Sequence, residues 1–319
     1  MALGKKHIFQ FLPYMVIGLV LIALPSFVGL AVTSLFTKVL IFSLAAMSLD
    51  FIAGYTGLWS FCQAAIFGVG AYTTGILITR FDITSFWLSA PAGILMAGFV
   101  ACVFGFIALR VSALYFLLIT FALGQLVYSI AFKWRLMTGG SDGIRGVPYP
   151  DMGILSSWSP TSFYYLTLVV VAICTFLLYR LIKSPFGLSL QSIRENETRV
   201  NCLGCNTWLF KYIAFVISGL FAGLAGVLYI YFNGAISPPQ IGMAASATLF
   251  LMIIIGGIGT LWGAPVGTMV LLLFQYYMSI IVPIRWPMVL GVLFVVFVIF
   301  LRGGIFPHMF KLWLKVKQV

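Results

Sequence analysis

The chain has 319 residues, of which 62% are hydrophobic and only 8% are charged. Soluble domains carry about 25% charged residues, so this composition excludes a water-soluble globular protein. The uncharged stretch from Tyr212 to Ile284 can hold three crossings of the roughly 20 residues that a helix needs to span a bilayer. The net charge of +12 is dispersed among loops, which favours membrane orientation over nucleic-acid binding as its cause. The sequence therefore predicts an all-α, polytopic transmembrane helical bundle.

Charged residues, prolines and glycines delimit the apolar segments. Segments 57–79 and 246–260 contain glycine clusters, so they can be Gly-broken or re-entrant rather than full crossings. The loops are too short to fold as soluble domains, so residues 1–319 are predicted to form a single transmembrane domain. The pattern predicts about 8–10 spans, in chain order 12–33, 36–55, 57–79, 85–109, 112–132, 163–182, 209–232, 246–260, 261–282 and 285–302.

The distribution of basic residues predicts the orientation in the membrane. Counting every segment as a crossing gives an even number, which places both termini on one side. The tails and loop 183–208 are rich in Lys and Arg, and basic residues concentrate in cytoplasmic loops. Both termini are therefore predicted to be cytoplasmic, with loop 134–162 on the outer side.

The cytoplasmic loop 184–208 carries an amphipathic pattern. Asn206 or Thr207 can cap the span that follows. The pattern predicts a short helix that either lies on the lipid surface or docks into the groove of a partner protein. Two acidic residues on its polar face favour the partner. Its apolar face is formed by residues at helical spacing, namely Leu190, Ile193, Val200 and Leu203.

The outer loop 134–162 contains a glycine-rich run, Thr138–Gly143. Its backbone N–H groups could bind an anionic group. Clusters of glycine and small polar residues are also common in ordinary turns. The ordinary turn is the interpretation that the run favours by itself.

Glycine clusters interrupt two apolar segments, at Gly54–Gly57 and at Gly256–Gly263. Small residues let membrane helices pack closely. Gly-broken segments in the two halves of a chain can instead mark a transport site. Both interpretations stay open, with close packing favoured.

Few polar side chains lie inside the predicted spans. Asp50 is the exception among acids, and an ionisable residue in a span is a functional candidate. The alternative is a local partner for its carboxylate, such as Arg110 or the indole of Trp59. The other polar groups can contact a passing solute or form interhelical hydrogen bonds. Together, the candidates for a translocation path are Asp50, Tyr55, Thr56, Gln63, Tyr72 and Gln125.

The sequence contains no motif for catalysis or for cofactor binding. A phosphate-binding loop of the G-x-x-x-x-G-K-[ST] type does not occur. The two histidines lie near the tails, and Cys202 and Cys205 have no second pair to complete a metal site. We therefore expect no enzyme, no metal and no cofactor in this chain.

A series of motifs runs from about residue 40 to residue 303. They are Gly54-Tyr55-Thr56-Gly57-Leu58, Gln63-Ala64-Ala65, Gly68-Val69-Gly70-Ala71-Tyr72, Thr138–Gly143, Ser184-Pro185-Phe186-Gly187, Ile193–Glu197 and Gly256–Gly263. As a set, these motifs resemble the permease family of bacterial ABC importers for branched-chain amino acids. Two positions depart from the family pattern, since Asp50 stands where Asn is usual and Cys62 stands where Gly is usual.

The resemblance implies a transport subunit of the bacterial inner membrane. Such a permease pairs with a homologous second permease, two cytoplasmic ATPase subunits that bind ATP and Mg, and a periplasmic solute-binding protein. The cytoplasmic loop would dock onto the ATPase, and the outer loop would face the binding protein. The implied coupling residues are Ile193, Arg194, Glu195, Glu197, Arg199 and Gly204, and those facing the binding protein are Thr138, Gly139, Gly140, Ser141, Asp142 and Gly143.

Three alternatives to an importer of branched-chain amino acids stay open. The same architecture could import urea, short amides or aromatic acids. A secondary transporter driven by an ion gradient needs essential charge within the spans, and Asp50 is the only candidate. A membrane scaffold without a transport path is the third. The lack of buried charge favours the ABC importer over the secondary transporter.

Overall fold

The computed structural model describes residues 21–25, 27–111, 113–150, 159–281, 288–289, 291–292, 295 and 303–307. Residues 21–25 are also helical. In chain order, the helices are α1 (Leu30–Tyr55), α2 (Gln63–Phe81), α3 (Phe86–Ala108), α4 (Ala113–Lys133), α5 (Arg135–Thr138), α6 (Pro160–Lys183), α7 (Pro185–Glu195), α8 (Glu197–Cys202), α9 (Thr207–Asn233), α10 (Met243–Gly256) and α11 (Gly263–Ile281).

Seven of the described helices are long and apolar enough to cross a membrane. The prediction of a polytopic helical bundle is confirmed, and most predicted spans coincide with a helix to within a few residues. The starts differ most at α1, which begins at Leu30 rather than 36, and at α2, which begins at Gln63 rather than 57 because residues 56–62 form a non-helical linker with turns. Residues 12–20 and 26 of predicted span 12–33, and most of predicted span 285–302, lie outside the described residues. The seven spans are α1, α2, α3, α4, α6, α9 and α11.

Helix α10 is too short to cross the bilayer as a straight helix. Its 14 residues extend about 21 Å at 1.5 Å per residue, against ~30 Å of hydrocarbon. A glycine-containing turn, 257–262, separates it from α11. The prediction of a Gly-broken segment around 246–260 agrees with this arrangement.

Two short strands connect the halves of the chain at one end of the bundle. Strand β1 (Ile144–Arg145) pairs antiparallel with β2 (Ala235–Ile236), with Ile144 opposite Ile236. A 3-10 turn, Gly140–Asp142, precedes β1, and another, Pro238–Ile241, follows β2. The loop after α4 is thereby fixed to the connection between α9 and α10.

Helix α9 lies at the centre of the bundle, where it packs against α1, α2 and α3. Small residues make this packing possible. A Cβ atom at Gly226 would lie 1.9 Å from the carbonyl oxygen of Phe67, and one at Gly70 would lie 2.4 Å from the carbonyl oxygen of Gly223. The backbones of α2 and α9 therefore touch directly, as small residues allow in membranes.

We predict that Gly226→Ala destabilises the bundle, because the added methyl group would collide with backbone rather than with a movable side chain. Overpacking of this kind costs about 1–3 kcal/mol. The measurement is the melting temperature of the purified protein in detergent. Gly29→Ala is the matched control, because a Cβ there meets no atom of the described residues within 4 Å. Equal melting temperatures for the two variants would contradict the packing described.

Candidate functional site

The amphipathic loop between α6 and α9 folds as two short helices rather than the predicted one. Ser184 caps α7 by accepting a hydrogen bond from the Gly187 N–H, and Pro185 occupies its first turn. Asn196 then has extended backbone angles, and its side chain accepts from the Arg199 N–H to cap α8. The break arises because a side-chain oxygen that competes for backbone amides favours a helix start over a helix interior.

The predicted apolar face is largely buried against the bundle. Leu190, Ile193 and Val200 are each less than a tenth exposed. Leu203 was predicted on the same face, but it is 77% exposed because α8 ends before it. The prediction that Asn206 caps the next span is confirmed, since its side chain accepts from the Leu209 N–H at 3.2 Å.

The outward face of α7 carries two residues that the periodicity analysis missed, Leu188 and Ser192, beside the predicted coupling residue Glu195. Leu188 is 58% exposed, and Ser192 and Glu195 are exposed as well. Spacings of four and three residues place these side chains on one face of the helix. An exposed leucine followed by two serines reads in sequence as part of a loop, so only the direction of α7 reveals this face.

The six predicted coupling residues occupy different environments. Ile193 is buried, whereas Glu195, Arg199 and Gly204 are exposed. Glu197 contacts the start of α9, where its carboxylate lies 2.5 Å from the Lys211 ammonium and accepts from the Thr207 hydroxyl at 3.1 Å. Glu197 therefore braces α8 against α9.

Arg194, the sixth of these residues, reaches the transmembrane bundle. Its guanidinium donates a hydrogen bond to the Gly54 carbonyl oxygen near the end of α1. The facing backbone belongs to the turn between α10 and α11. We call these two segments, Gly54–Gly57 and Gly256–Gly263, the glycine junction.

Asp50 lies at the glycine junction and is fully buried. Its Oδ1 atom accepts a hydrogen bond from the Gly259 N–H at 2.7 Å, and Arg194 lies close enough to interact with it electrostatically. Neither of the local partners suggested by the sequence plays this part. The Arg110 guanidinium lies over the Phe106 ring, and Trp59 stacks on Phe250.

The remaining path candidates are scattered along the bundle. Gln63 joins α2 to α1 and α9, since its amide donates to the Ser48 and Ser218 hydroxyls at 2.9 and 2.8 Å. Its Oε1 atom and the Tyr72 hydroxyl are buried without a hydrogen-bond partner among the described residues. The other three lie in different environments. The Tyr55 hydroxyl accepts from the Leu261 N–H, and the Thr56 hydroxyl donates to a carbonyl oxygen at the end of α1. Gln125 is exposed on α4.

The glycine-rich outer loop is an ordered turn. The Thr138 hydroxyl donates to the Ala131 carbonyl oxygen at 2.7 Å and accepts from the Gly140 N–H. Gly139, Gly140 and Gly143 have positive φ angles. A Cβ atom at Gly143 would lie 2.0 Å from the Ile236 carbonyl oxygen, so the turn packs against β2. Ser141 and Asp142 remain exposed at its tip.

These features define the chain as a polytopic helical membrane protein with a two-helix loop docked on one end of its bundle. Residues 31–301 match the family model described as "Branched-chain amino acid transport system / permease component". The chain belongs to this family, as its motifs indicated.

Individual relatives agree with the family. The chain is 27% identical over 262 residues to the LivM permease protein of the high-affinity branched-chain amino acid transport system of Escherichia coli, covering 75% of this chain and 61% of that protein. It is 26% identical over 249 residues to the LivH permease protein of the same-named system of Salmonella typhimurium, covering 72% and 79%. The guanosine ABC transporter permease protein NupQ of Bacillus subtilis is 33% identical over 79 residues, 25% of each chain.

The chain spans less than two thirds of the length of the LivM permease proteins of Escherichia coli and Salmonella typhimurium, at 61% and 66%. No solved structure matches it at a significant level.

The Glu197–Lys211 pair gives a stability prediction. Its acid is half-exposed and its base is mostly buried, so we expect a coupling free energy of about 0.5–1 kcal/mol. The measurement is a double-mutant cycle on melting temperature with Glu197→Gln and Lys211→Gln. The exchanged pair, Glu197→Lys with Lys211→Glu, should recover part of the lost stability. Strictly additive single effects would contradict the brace.

Proposed function

We propose that this chain is the transmembrane permease subunit of an ABC importer that moves branched-chain amino acids, or a related small polar solute, into the cytoplasm. The observation that carries the proposal is the family match over residues 31–301. The work would be supplied by ATP hydrolysis on separate ATPase subunits. The chain itself would be a transporter component and not an enzyme, with ATP and Mg held by its partners.

The ATPase subunit is proposed to dock on the outward face of α7. A short amphipathic helix with one face buried can place its other face into a groove of a partner. Leu188 supplies the apolar contact and Glu195 the charge, while Ile193 and Leu190 hold the helix on the bundle. Lys183 and Lys211 flank the loop, so the positive-inside rule supports a cytoplasmic location for this end.

A second, homologous permease is the proposed partner within the membrane. The likeness of this chain to both LivM and LivH relatives supports such a pair. Helix α4 buries the smallest share of its residues among the seven candidate spans. Its exposed residues include Gln125, Ser129 and Lys133, four residues apart. Because polar side chains are costly against lipid, this stripe is proposed to face the second permease across a water-filled path.

The opposite end of the bundle is proposed to receive a periplasmic solute-binding protein. The ordered turn from Thr138 to Gly143 presents Ser141 and Asp142 there. In this orientation the chain lies in the bacterial inner membrane, and both termini are cytoplasmic.

The decisive experiment is reconstitution of the complete complex in proteoliposomes with ATP inside and the binding protein outside. The proposal expects ATP-dependent uptake of leucine, isoleucine or valine. Urea, an aromatic acid and guanosine belong in the same panel, the last because of the NupQ likeness. Uptake by the purified chain alone, driven by an ion gradient without ATP, would contradict the proposal in favour of a secondary transporter.

The docking face predicts the effect of a single charge reversal. Glu195→Lys should weaken ATPase binding and reduce ATP-dependent uptake by about tenfold, the equivalent of ~1.4 kcal/mol of lost contact. Uptake is measured at equal amounts of inserted protein. Asp82→Lys is the matched control. Asp82 is an exposed acid that directly follows α2, outside both the loop between α6 and α9 and the loop after α4. Equal uptake by the two variants would contradict docking through α7.

The stripe on α4 predicts water access. In a protein whose native cysteines are replaced, Ser129→Cys should react with a water-soluble maleimide faster than Leu118→Cys, although both positions are exposed on α4. Substrate-loaded binding protein should slow the reaction at position 129. Faster labelling at position 118 would place the water path elsewhere.

A further inference from the structure

The glycine junction is held together mainly by backbone groups of the turn between α10 and α11. The Gly259 N–H donates to Asp50, and the Leu261 N–H donates to the Tyr55 hydroxyl at 3.3 Å. A Cβ atom at Gly54 would lie 2.5 Å from the Gly259 nitrogen. Helix α1 therefore binds the turn by two hydrogen bonds and by direct backbone contact, so the two segments form one unit.

Arg194 adds the cytoplasmic loop to this unit. Its guanidinium bonds the Gly54 carbonyl oxygen. Its Nη1 atom would lie 3.1 Å from a Cβ at Gly259, and its Cγ atom 3.2 Å from a Cβ at Gly57. The side chain thus lies against glycines of both segments, in space that a larger residue at position 57 or 259 would occupy.

Electrostatics also favours the position of Arg194 at the glycine junction. Asp50 is fully buried, and its Oδ2 atom has no hydrogen-bond partner among the described residues. A buried carboxylate is costly unless a positive charge compensates it. Arg194 lies on the other side of Gly54 and Gly259, beyond salt-bridge distance of Asp50. Its positive charge therefore offsets part of the cost of a buried carboxylate at Asp50.

The direction of Arg194 differs from that of its neighbour. Glu195 is exposed on the outward face of α7, whereas the Arg194 guanidinium, although its residue is also exposed, reaches the bundle. One helix turn thus presents one charge to the outside and one to the membrane domain. A force applied to the outward face would reach the glycine junction through Arg194, while Leu190 and Ile193 connect α7 to the rest of the bundle.

We propose that Arg194 is a positioning residue that transmits the movement of α7 to the glycine junction, and so to the ends of α1, α10 and α11. The inference rests on the proposed function, since it assigns to one residue the link between ATPase docking and the transmembrane helices. It differs from the role implied by the family resemblance, in which Arg194 would contact the ATPase itself.

The test uses the complete reconstituted complex and measures uptake and ATP hydrolysis on the same samples. Arg194→Gln should lower uptake by about tenfold, the loss that corresponds to one charged hydrogen bond of ~1.4 kcal/mol. ATP hydrolysis and recovery of the ATPase with the permease should change less than about twofold. Arg194→Lys should restore part of the uptake, because the ammonium keeps the charge and one donor but lacks the guanidinium fork.

A matched control separates this effect from the loss of any arginine. Arg110→Gln removes an exposed arginine whose described contact is the Phe106 ring, and it should leave uptake unchanged. If Arg194→Gln behaves like Arg110→Gln, the proposed link is wrong. If Arg194→Gln loses uptake and ATPase recovery together, Arg194 contacts the ATPase, and the proposal is also wrong.

A double variant separates transmission from simple stabilisation. Arg194→Gln leaves Asp50 as an uncompensated buried charge, so Arg194→Gln with Asp50→Asn should recover melting temperature, since Asn can still accept from the Gly259 N–H. Uptake should stay low, because the bond to Gly54 is still absent. Recovery of uptake together with melting temperature would show a purely structural role and overturn the proposal.

Uptake by the unmodified complex distinguishes failure of the proposed function from failure of the proposed role of Arg194. Absence of ATP-dependent uptake by the unmodified complex would refute the proposed function. Hydrogen–deuterium exchange of the purified chain then still tests the contact itself. The peptide that contains 256–262 should exchange faster in Arg194→Gln than in Arg110→Gln. Equal exchange of this peptide in the two variants would show that Arg194 does not stabilise the turn, and it would refute the proposed link.

Discussion

A backbone amide inside a lipid bilayer must find its hydrogen-bond partner within the protein. This constraint governs both places where the described spans are interrupted. In linker 56–62, the Phe61 N–H donates to the Thr120 hydroxyl, and the Phe61 carbonyl oxygen accepts from the Ser246 hydroxyl. In turn 257–262, Asp50 and Tyr55 of α1 accept from the turn. In both breaks, hydrogen bonds to individual polar side chains therefore connect the backbone to neighbouring helices.

The same requirement explains why a charged residue is tolerated at the glycine junction. Asp50 supplies an acceptor for the Gly259 N–H, and a carboxylate there needs a compensating charge. Arg194, in the loop between α6 and α9, brings a positive charge to the other side of Gly54 and Gly259. The hydrogen bond from the Gly259 N–H thus joins the turn between α10 and α11 to α1, and Arg194 joins α1 to the loop that would meet the ATPase. In this arrangement Asp50 is the hydrogen-bond acceptor for the turn between α10 and α11.

Much of the fold could be predicted because hydropathy sets where helices run. The bounds of α3, α4, α6 and α9 lie within a few residues of the predicted spans. The cap at Asn206 followed from local chemistry. The break at Asn196 and the exposure of Leu203 were missed although the cap at Asn196 is local, because the continuous helical spacing suggested one helix. The partners of Asp50 could not be predicted, because they depend on contacts between segments distant in sequence. Gly259 and Arg194 lie 209 and 140 residues from their partners Asp50 and Gly54, a separation that periodicity does not detect.

The central claim is that α7 and the glycine junction move as one unit. The most direct measurement is a pair of cryo-electron microscopy structures of the complete complex, one without nucleotide and one trapped with ATP. The account predicts that Arg194 stays on the Gly54 carbonyl oxygen in both, while α7 and the turn between α10 and α11 shift together. Displacement of α7 with an unchanged junction and a broken Arg194 contact would contradict it.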